Sequence, residues 1–478
     1  MQLQFTREIN RLLFATLIGF AVVALTAVYW SVWGPDSILL REDNPRLVEA
    51  EAAIIRGSLY DRNGTLLAES NPTDSGEVQR TYMYRETDGT LGYYSLRYGT
   101  AGVETTFDET LRGDDRLQGS GKQFVADLLH QAREGSDLRL TLDLNLQQTV
   151  SDLMANHTGA AVVLSVPEGE VLALVSRPTY NPNTLDAEWD QLTSAEGDPF
   201  FNRVIQGRYQ PGGMLQTPLA AAAIVAGYPF DTPLGDATTP LSMEDVTLNC
   251  AARLSQSTRL TLREAYGFAC PAPFADLAGE LGTAKTRQAL VTFGLYEPPT
   301  LPGFEAPSPP SPNPLDFRDG ELRRAAVGQS RLTISPLGMA QMVAGIVNDG
   351  NAPQPFLLAG SRAPGMPAWE PTGEIRPTSP IATTNTARQL QDWMRAAVAN
   401  GAAQNAGRPN VDIGGHAALA YSGDGTDAWF IGFATIEGRR GVAVAVVLEG
   451  TTDLGLAVDI GGATLETARN NLYPPSEN

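Results

Sequence analysis

The strongest pattern in the chain comes first. From Leu12 to Gly34 the sequence LLFATLIGFAVVALTAVYWSVWG holds no charge over 23 residues. At about 1.5 Å per helical residue, that reaches across a hydrocarbon core of roughly 30 Å. Arg7 and Arg11 precede the run and Asp36 follows it, with Tyr29, Trp30 and Trp33 near its far end. That asymmetry keeps a short tail, residues 1–11, in the cytoplasm and places the rest outside the membrane. A cleaved signal peptide is the alternative, but its apolar core is roughly 7–15 residues long and ends at a small-x-small site that is not evident here.

Beyond the anchor the period changes. Ile54–Leu67 reads IIRGSLYDRNGTLL, two runs around Asn63-Gly64, a pair suited to the positive φ angles of a tight turn, and predicts a β-hairpin. The stretch to about residue 136 is polar, with no long helical period, and suits a pedestal domain, 35–136. In Leu138–His157 a short strand precedes a helix starting near Asp143, and Ala160–Val175 predicts two buried strands joined at Pro167–Glu170. Leu219–Ala226, Ala-rich, follows Pro211-Gly212-Gly213 and reads as a buried helix. Residues 297–314 carry too many prolines for regular structure and form a loop or flap. Ala428–Ala434 and Gly441–Glu449 are two further apolar strands, joined at Glu437-Gly438-Arg439. Strands early and late with helices between them predict an α/β (α+β) layered domain over 137–478, an antiparallel sheet flanked by helices.

Composition narrows the partners. Lys+Arg 34 against Asp+Glu 54 gives a net charge of −20. Such a surface repels phosphate backbones, so nucleic acid is excluded as a partner. Cys250 and Cys270 lack metal-site spacing, and the histidines His130, His157 and His416 are scattered, so no metal and no cofactor is expected.

Six segments, in order, resemble the class B penicillin-binding proteins, the membrane-anchored D,D-transpeptidases that crosslink peptidoglycan. They are RGSLYDRNGTLLA (56–68), GTAGVETTFDETLRG (99–113), LTLDLNLQQT (140–149), SVPEGEVLALVSRPTYNPN (165–183), GQSRLTISPLGMAQMVAGIVNDG (328–350) and DAWFIGFA (427–434). The resemblance implies a transpeptidase domain of the serine β-lactamase-like fold, on a mainly β pedestal of the dimerisation type, behind one transmembrane helix at 12–34.

That family acts through S-x-x-K, an S-x-N type motif and K-T-G. A serine needs a neighbouring base to attack, and a cationic strand holds the substrate. Where the resemblance puts S-x-x-K, this chain reads Gly213-Met214-Leu215-Gln216; Gly213 has nothing to attack with, and the Gln216 amide takes no proton. The second slot reads Ala269-Cys270-Pro271, without hydroxyl or amide, and the third reads Gly415-His416-Ala417-Ala418. Lys122 and Lys285 are the only lysines, each with glycine three positions before it, so neither S-x-x-K nor K-T-G exists anywhere in the chain. In a serine hydrolase, losing the nucleophile costs on the order of 10⁶ in kcat.

Other residues stay open to two readings. Cys250 and Cys270 form a disulfide, fitting an exported chain, or remain buried thiols; Cys270 as a substitute nucleophile lacks a neighbouring base. His416 is a surrogate carboxylate anchor or a partly buried polar residue. Ser330 and Ser422 lack an adjacent base as relocated nucleophiles.

The expectation is a penicillin-binding-protein-like pseudoenzyme with no catalytic residues, a scaffold or regulator of envelope synthesis. It sits single-pass in the cell membrane with its folded domains outside. Its partners would be a membrane-embedded glycan polymerase or another envelope-synthesis protein, and a peptidoglycan stem peptide held without covalent chemistry. Two alternatives stand beside it: an active transpeptidase or carboxypeptidase with a non-standard nucleophile, and a surface binding module unrelated to peptidoglycan.

Overall fold

The computed structural model describes residues 2–32, 51–73, 78–115, 133–243, 246–252, 259–304, 313–372, 376–423, 425–436 and 440–472. Trp33, Gly34, Asp36, Lys122, His130, the turn at 437–439 and part of the Pro-rich stretch, 305–312, lie outside the described residues.

Helix α1, Gln2–Val32, contains one segment, Ile9–Tyr29, long and apolar enough to cross a membrane, and none of that segment is buried among the described residues. The hairpin follows, with β1 (Leu59–Tyr60) and β2 (Leu66–Pro72) antiparallel. Its turn is closed by Asp61 Oδ1, which accepts from the amides of Asn63 at 2.9 Å and Thr65 at 2.7 Å, while Gly64 takes φ +86°. Strand β3 (Val78–Tyr82) pairs with β2, and β4 (Asp137–Leu140) runs parallel to β1. Underneath lies a buried charge network. Glu104, in the Gly99–Gly113 segment, accepts from Arg56 Nε at 3.0 Å, Arg80 Nε at 2.8 Å and the Tyr82 hydroxyl at 3.2 Å. Arg56 also meets Asp108 at 2.6 Å, so the two guanidiniums face two carboxylates.

Helix α2 (Leu144–Leu153) starts where Asp143 accepts the Leu146 amide as its cap. Strands β5 (Gly159–Val166) and β6 (Val171–Arg177) form the antiparallel pair expected, β5 buried throughout because helices cover both faces. Then come α3 (Gln216–Val225), α4 (Leu262–Gly267), α5 (Pro271–Thr292, interrupted at Gly282) and α6 (Pro336–Val347). Strands β7 (Leu358–Arg362) and β8 (Glu370–Pro371) cross back and extend the pedestal sheet, in the order β8-β7-β4-β1-β2-β3. Late sequence therefore completes an early sheet. Helix α7 (Thr384–Asn400) precedes β9 (Asp412–Ser422), β10 (Gly425–Thr435) and β11 (Gly441–Leu448), and α8 (Leu454–Leu472) ends the fold.

The central sheet has the order β9-β10-β11-β5-β6, antiparallel throughout. One face packs on α6 and α7, with α3 and α5 beyond them, and the other on α2 and α8, giving two large apolar clusters. Strand β9 is the edge nearest the site, and its glycines have a packing reason. A Cβ on Gly414 would lie 2.4 Å from the Phe433 ring, and one on Gly415 would lie 2.6 Å from Phe430. The pedestal is held from the side as well. Asn183 gives its amide to the Tyr82 carbonyl at 2.8 Å and accepts the Tyr82 N–H at 2.9 Å, imitating a neighbouring strand on the edge of β3.

Candidate functional site

A cleft of about 210 Å³ opens between the start of α3, the start of α5 and strand β9. Gly213, Gln216, Ala269, Pro271 and Ala418 line it, with one half of a disulfide, Cys250. The structure thus gathers residues from all three slots read in the sequence. His416 and Ala417 are not among the lining residues.

Each position has a local cause. Gly212–Leu215 forms a tight turn feeding α3, with Gly212 at φ +51°, and the Gly213 carbonyl points back at β9. His416 Nε2 lies 3.1 Å from that carbonyl oxygen. A carbonyl only accepts, so Nε2 carries the proton and Nδ1 is the bare nitrogen, which has no hydrogen-bond partner. The imidazole is fully buried and stacks on Tyr266 at 4.2 Å and 15°. Burial pushes its pKa down to about 4, against a smaller opposing effect of the Gly213 hydrogen bond, so it is neutral near pH 7. As a surrogate cation His416 fails on two counts, since it lies behind the turn and carries no charge there. The reading as a buried polar residue is the one its geometry fits, though the burial is complete where a partial one was expected.

Ala417 faces the other way. Side chains alternate along a strand, so Ala418 belongs to the cluster on the α3 side and Ala417 to the one on the α8 side. The Ala418 methyl sits where a side chain at 213 would go. A Cβ built on Gly213 would be 2.6 Å from the Ala418 Cβ, against roughly 3.5–4.0 Å for a relaxed carbon contact. The bare position on the turn and the added methyl on the strand are thus a matched pair.

At the second slot Cys250 and Cys270 are joined, S–S 2.08 Å, so neither is a free thiol. Cys270 caps α5, with Pro271 in its first turn, and Ala269 before it adopts φ +50°. Gln216 Nε2 donates to the Cys270 carbonyl at 3.3 Å, linking the first slot to the second, while Gln216 Oε1 has no partner. Ser330 and Ser422 line an adjoining cavity of about 580 Å³ together with Arg324.

Sequence reasoning did not single out Asn249, Gln329 and Tyr421, which also line the cleft, or Tyr266, whose hydroxyl lies 3.0 Å from Thr217 Oγ1 behind it. Gln329 falls in the 328–350 segment already marked by resemblance; the others carry no local signal. Among the described lining residues Tyr421 bears the one hydroxyl, and none is His, Lys, Arg, Asp or Glu.

Comparison with known proteins places this geometry. Residues 159–466 match the penicillin binding protein transpeptidase domain, and residues 56–138 match the penicillin binding protein A dimerisation domain. The peptidoglycan D,D-transpeptidase PbpA of Mycolicibacterium smegmatis is 30% identical, over 96% of this chain and 98% of that protein. Its namesake in Mycobacterium tuberculosis is 29% identical over the same shares. Penicillin-binding protein A from M. tuberculosis, solved as an imipenem acyl-enzyme complex, superposes with a TM-score of 0.77 at 29% identity, covering 87% of this chain and 99% of that one. By sequence along nearly its whole length and by fold, the chain belongs to the class B penicillin-binding protein transpeptidase family.

Proposed function

We propose that this protein is a catalytically silent penicillin-binding protein, a membrane-anchored scaffold or regulator in peptidoglycan synthesis. The observation that carries the reading is the Gly213–Ala418 contact. The place of an attacking side chain is filled from the opposite strand, and no described residue lining the cleft can accept a proton at neutral pH. Gln216, where a base would stand, instead ties the turn to the disulfide-linked Cys270. The relatives named as D,D-transpeptidases support a role in the same process, here exercised by binding. The intact pedestal network around Glu104 and the exposed apolar helix suit contact with a membrane-embedded glycan polymerase, and the cleft suits a stem peptide held without cleavage.

The test is covalent labelling. Full-length protein incubated with a fluorescent penicillin, beside an active relative as the positive control, is expected to stay unlabelled after denaturing electrophoresis. A saturable, heat-stable label on this chain would overturn the reading.

A further inference from the structure

The cleft's chemistry differs from that of a site made for a carboxylate. Its described walls hold three carboxamide side chains, Gln216, Asn249 and Gln329, and no charge. His416, which stands where the resemblance puts the family's lysine, is sealed behind Gly213 and neutral. Arg324 belongs to the adjoining cavity, where its Nε lies 3.4 Å from the Gln329 carbonyl. Meanwhile Gln216 Oε1 is an orphan. The residue is 1% exposed, its Nε2 is committed to Cys270, and its oxygen lacks any donor. A buried acceptor without a partner carries a desolvation cost that a ligand N–H would remove, whereas a carboxylate brought beside it would add a second acceptor and an unpaired charge. The space of about 210 Å³, walled in part by Gly213, Ala251, Ala269 and Ala418, admits a short peptide end.

We propose that the cleft binds a peptide end that is uncharged and donates N–H, a terminal carboxamide, and that it discriminates against the free carboxylate. The inference rests on the silent-site reading for the idea that the ligand is held rather than turned over. Gln216 Oε1 accepts the carboxamide N–H, and the small side chains admit the backbone beside it.

The probes are a matched pair, N-acetyl-D-alanyl-D-alaninamide and its free acid, titrated by calorimetry into full-length protein in lipid nanodiscs. The amide is expected to bind at least about tenfold more tightly than the acid at neutral pH. Gln216→Leu should erase that preference by weakening the amide alone, and Gln216→Lys, which adds a cation, should reverse it. Thermal melts check that both variants fold, and the lysine variant keeps the test decisive if the leucine variant does not. The proposal is overturned by equal or tighter binding of the acid, by a preference that survives Gln216→Leu, or by no binding of either probe up to about 10 mM. Penicillin labelling separates the two ideas. A labelled protein that still prefers the amide sinks the silent-site reading alone, and an unlabelled protein that prefers the acid sinks this one alone.

Discussion

At the scale of single residues, the site is defined by two exchanges that only make sense together. Position 213 has no Cβ, and position 418 has one that occupies the space. Gly213→Ser is therefore expected to destabilise the fold by about 1–3 kcal/mol through overpacking. Adding Ala418→Gly should recover much of the loss, a coupling that a double-mutant cycle in urea would read. Additive effects would show that the strand relaxes independently of the turn. His416 supplies a second prediction. Its folded pKa of about 4 lies below the usual value of 6.5, so the unfolded chain takes up the proton first as pH falls. Its contribution is fully present above pH 6.5 and is lost as pH falls from there towards 4, by about 3 kcal/mol in all. Comparing wild type with His416→Gln across pH 7 to 4 isolates this slope; parallel stability curves would contradict it.

At the scale of elements, the cleft is made where three chain ends converge: the turn before α3, the cap of α5 and the edge strand β9. The disulfide holds the segment around Cys250 against the cap of α5, 20 residues away in sequence. Closing a loop of that length removes denatured-state entropy worth about 3 kcal/mol. The Cys250→Ala/Cys270→Ala double variant should melt earlier by a corresponding amount, with the reduced wild type behaving alike. Equal melting with and without reductant would mean that the link carries no stability. Strand β9 is faint in the sequence because GGHAALAYSG carries little β-propensity. Its strand form comes from eleven paired residues along β10, whose Phe430 and Phe433 rings fill the space that Cβ atoms at 415 and 414 would take. Helix α8 is hidden for a similar reason. Its buried face is largely small, with Ala457, Gly461, Gly462, Thr464 and Ala468, and a Cβ on Gly461 would lie 2.0 Å from Phe430. Small residues chosen for close approach leave a faint hydrophobic period.

At the scale of the whole molecule, an exposed apolar helix leads into the folded body, and the full chain carries a net charge of −20. Strands from distant sequence complete the pedestal sheet, since β7 pairs onto β4 and β8 onto β7. Aromatic contacts tie the halves further, with Tyr98 stacked on Trp189 at 4.0 Å and Tyr60 edge-on to Trp369 at 5.6 Å. Because none of Ile9–Tyr29 is buried in the described fold, removing residues 1–50 should move the protein from the membrane pellet to the soluble fraction without lowering its melting temperature. Persistence in the pellet would point to a second membrane contact on the folded domains.

What the sequence determined by itself is whatever depends on local pattern or on residue type. The apolar span, the Asn63-Gly64 turn, the Asp143 cap and the buried β5–β6 pair follow from period, turn chemistry and capping, each settled within about two dozen residues of continuous chain. So did the lack of lysine at the motif positions, because a missing functional group needs no coordinates. Only the tertiary structure decided which residues meet. It turned His416 inward and neutral, sent Ala417 to the opposite face, set the Ala418 methyl against Gly213, and left Gln216 Oε1 without a donor. These are contacts between segments as much as 200 residues apart, fixed by strand alternation and close packing, and no short stretch of chain encodes them.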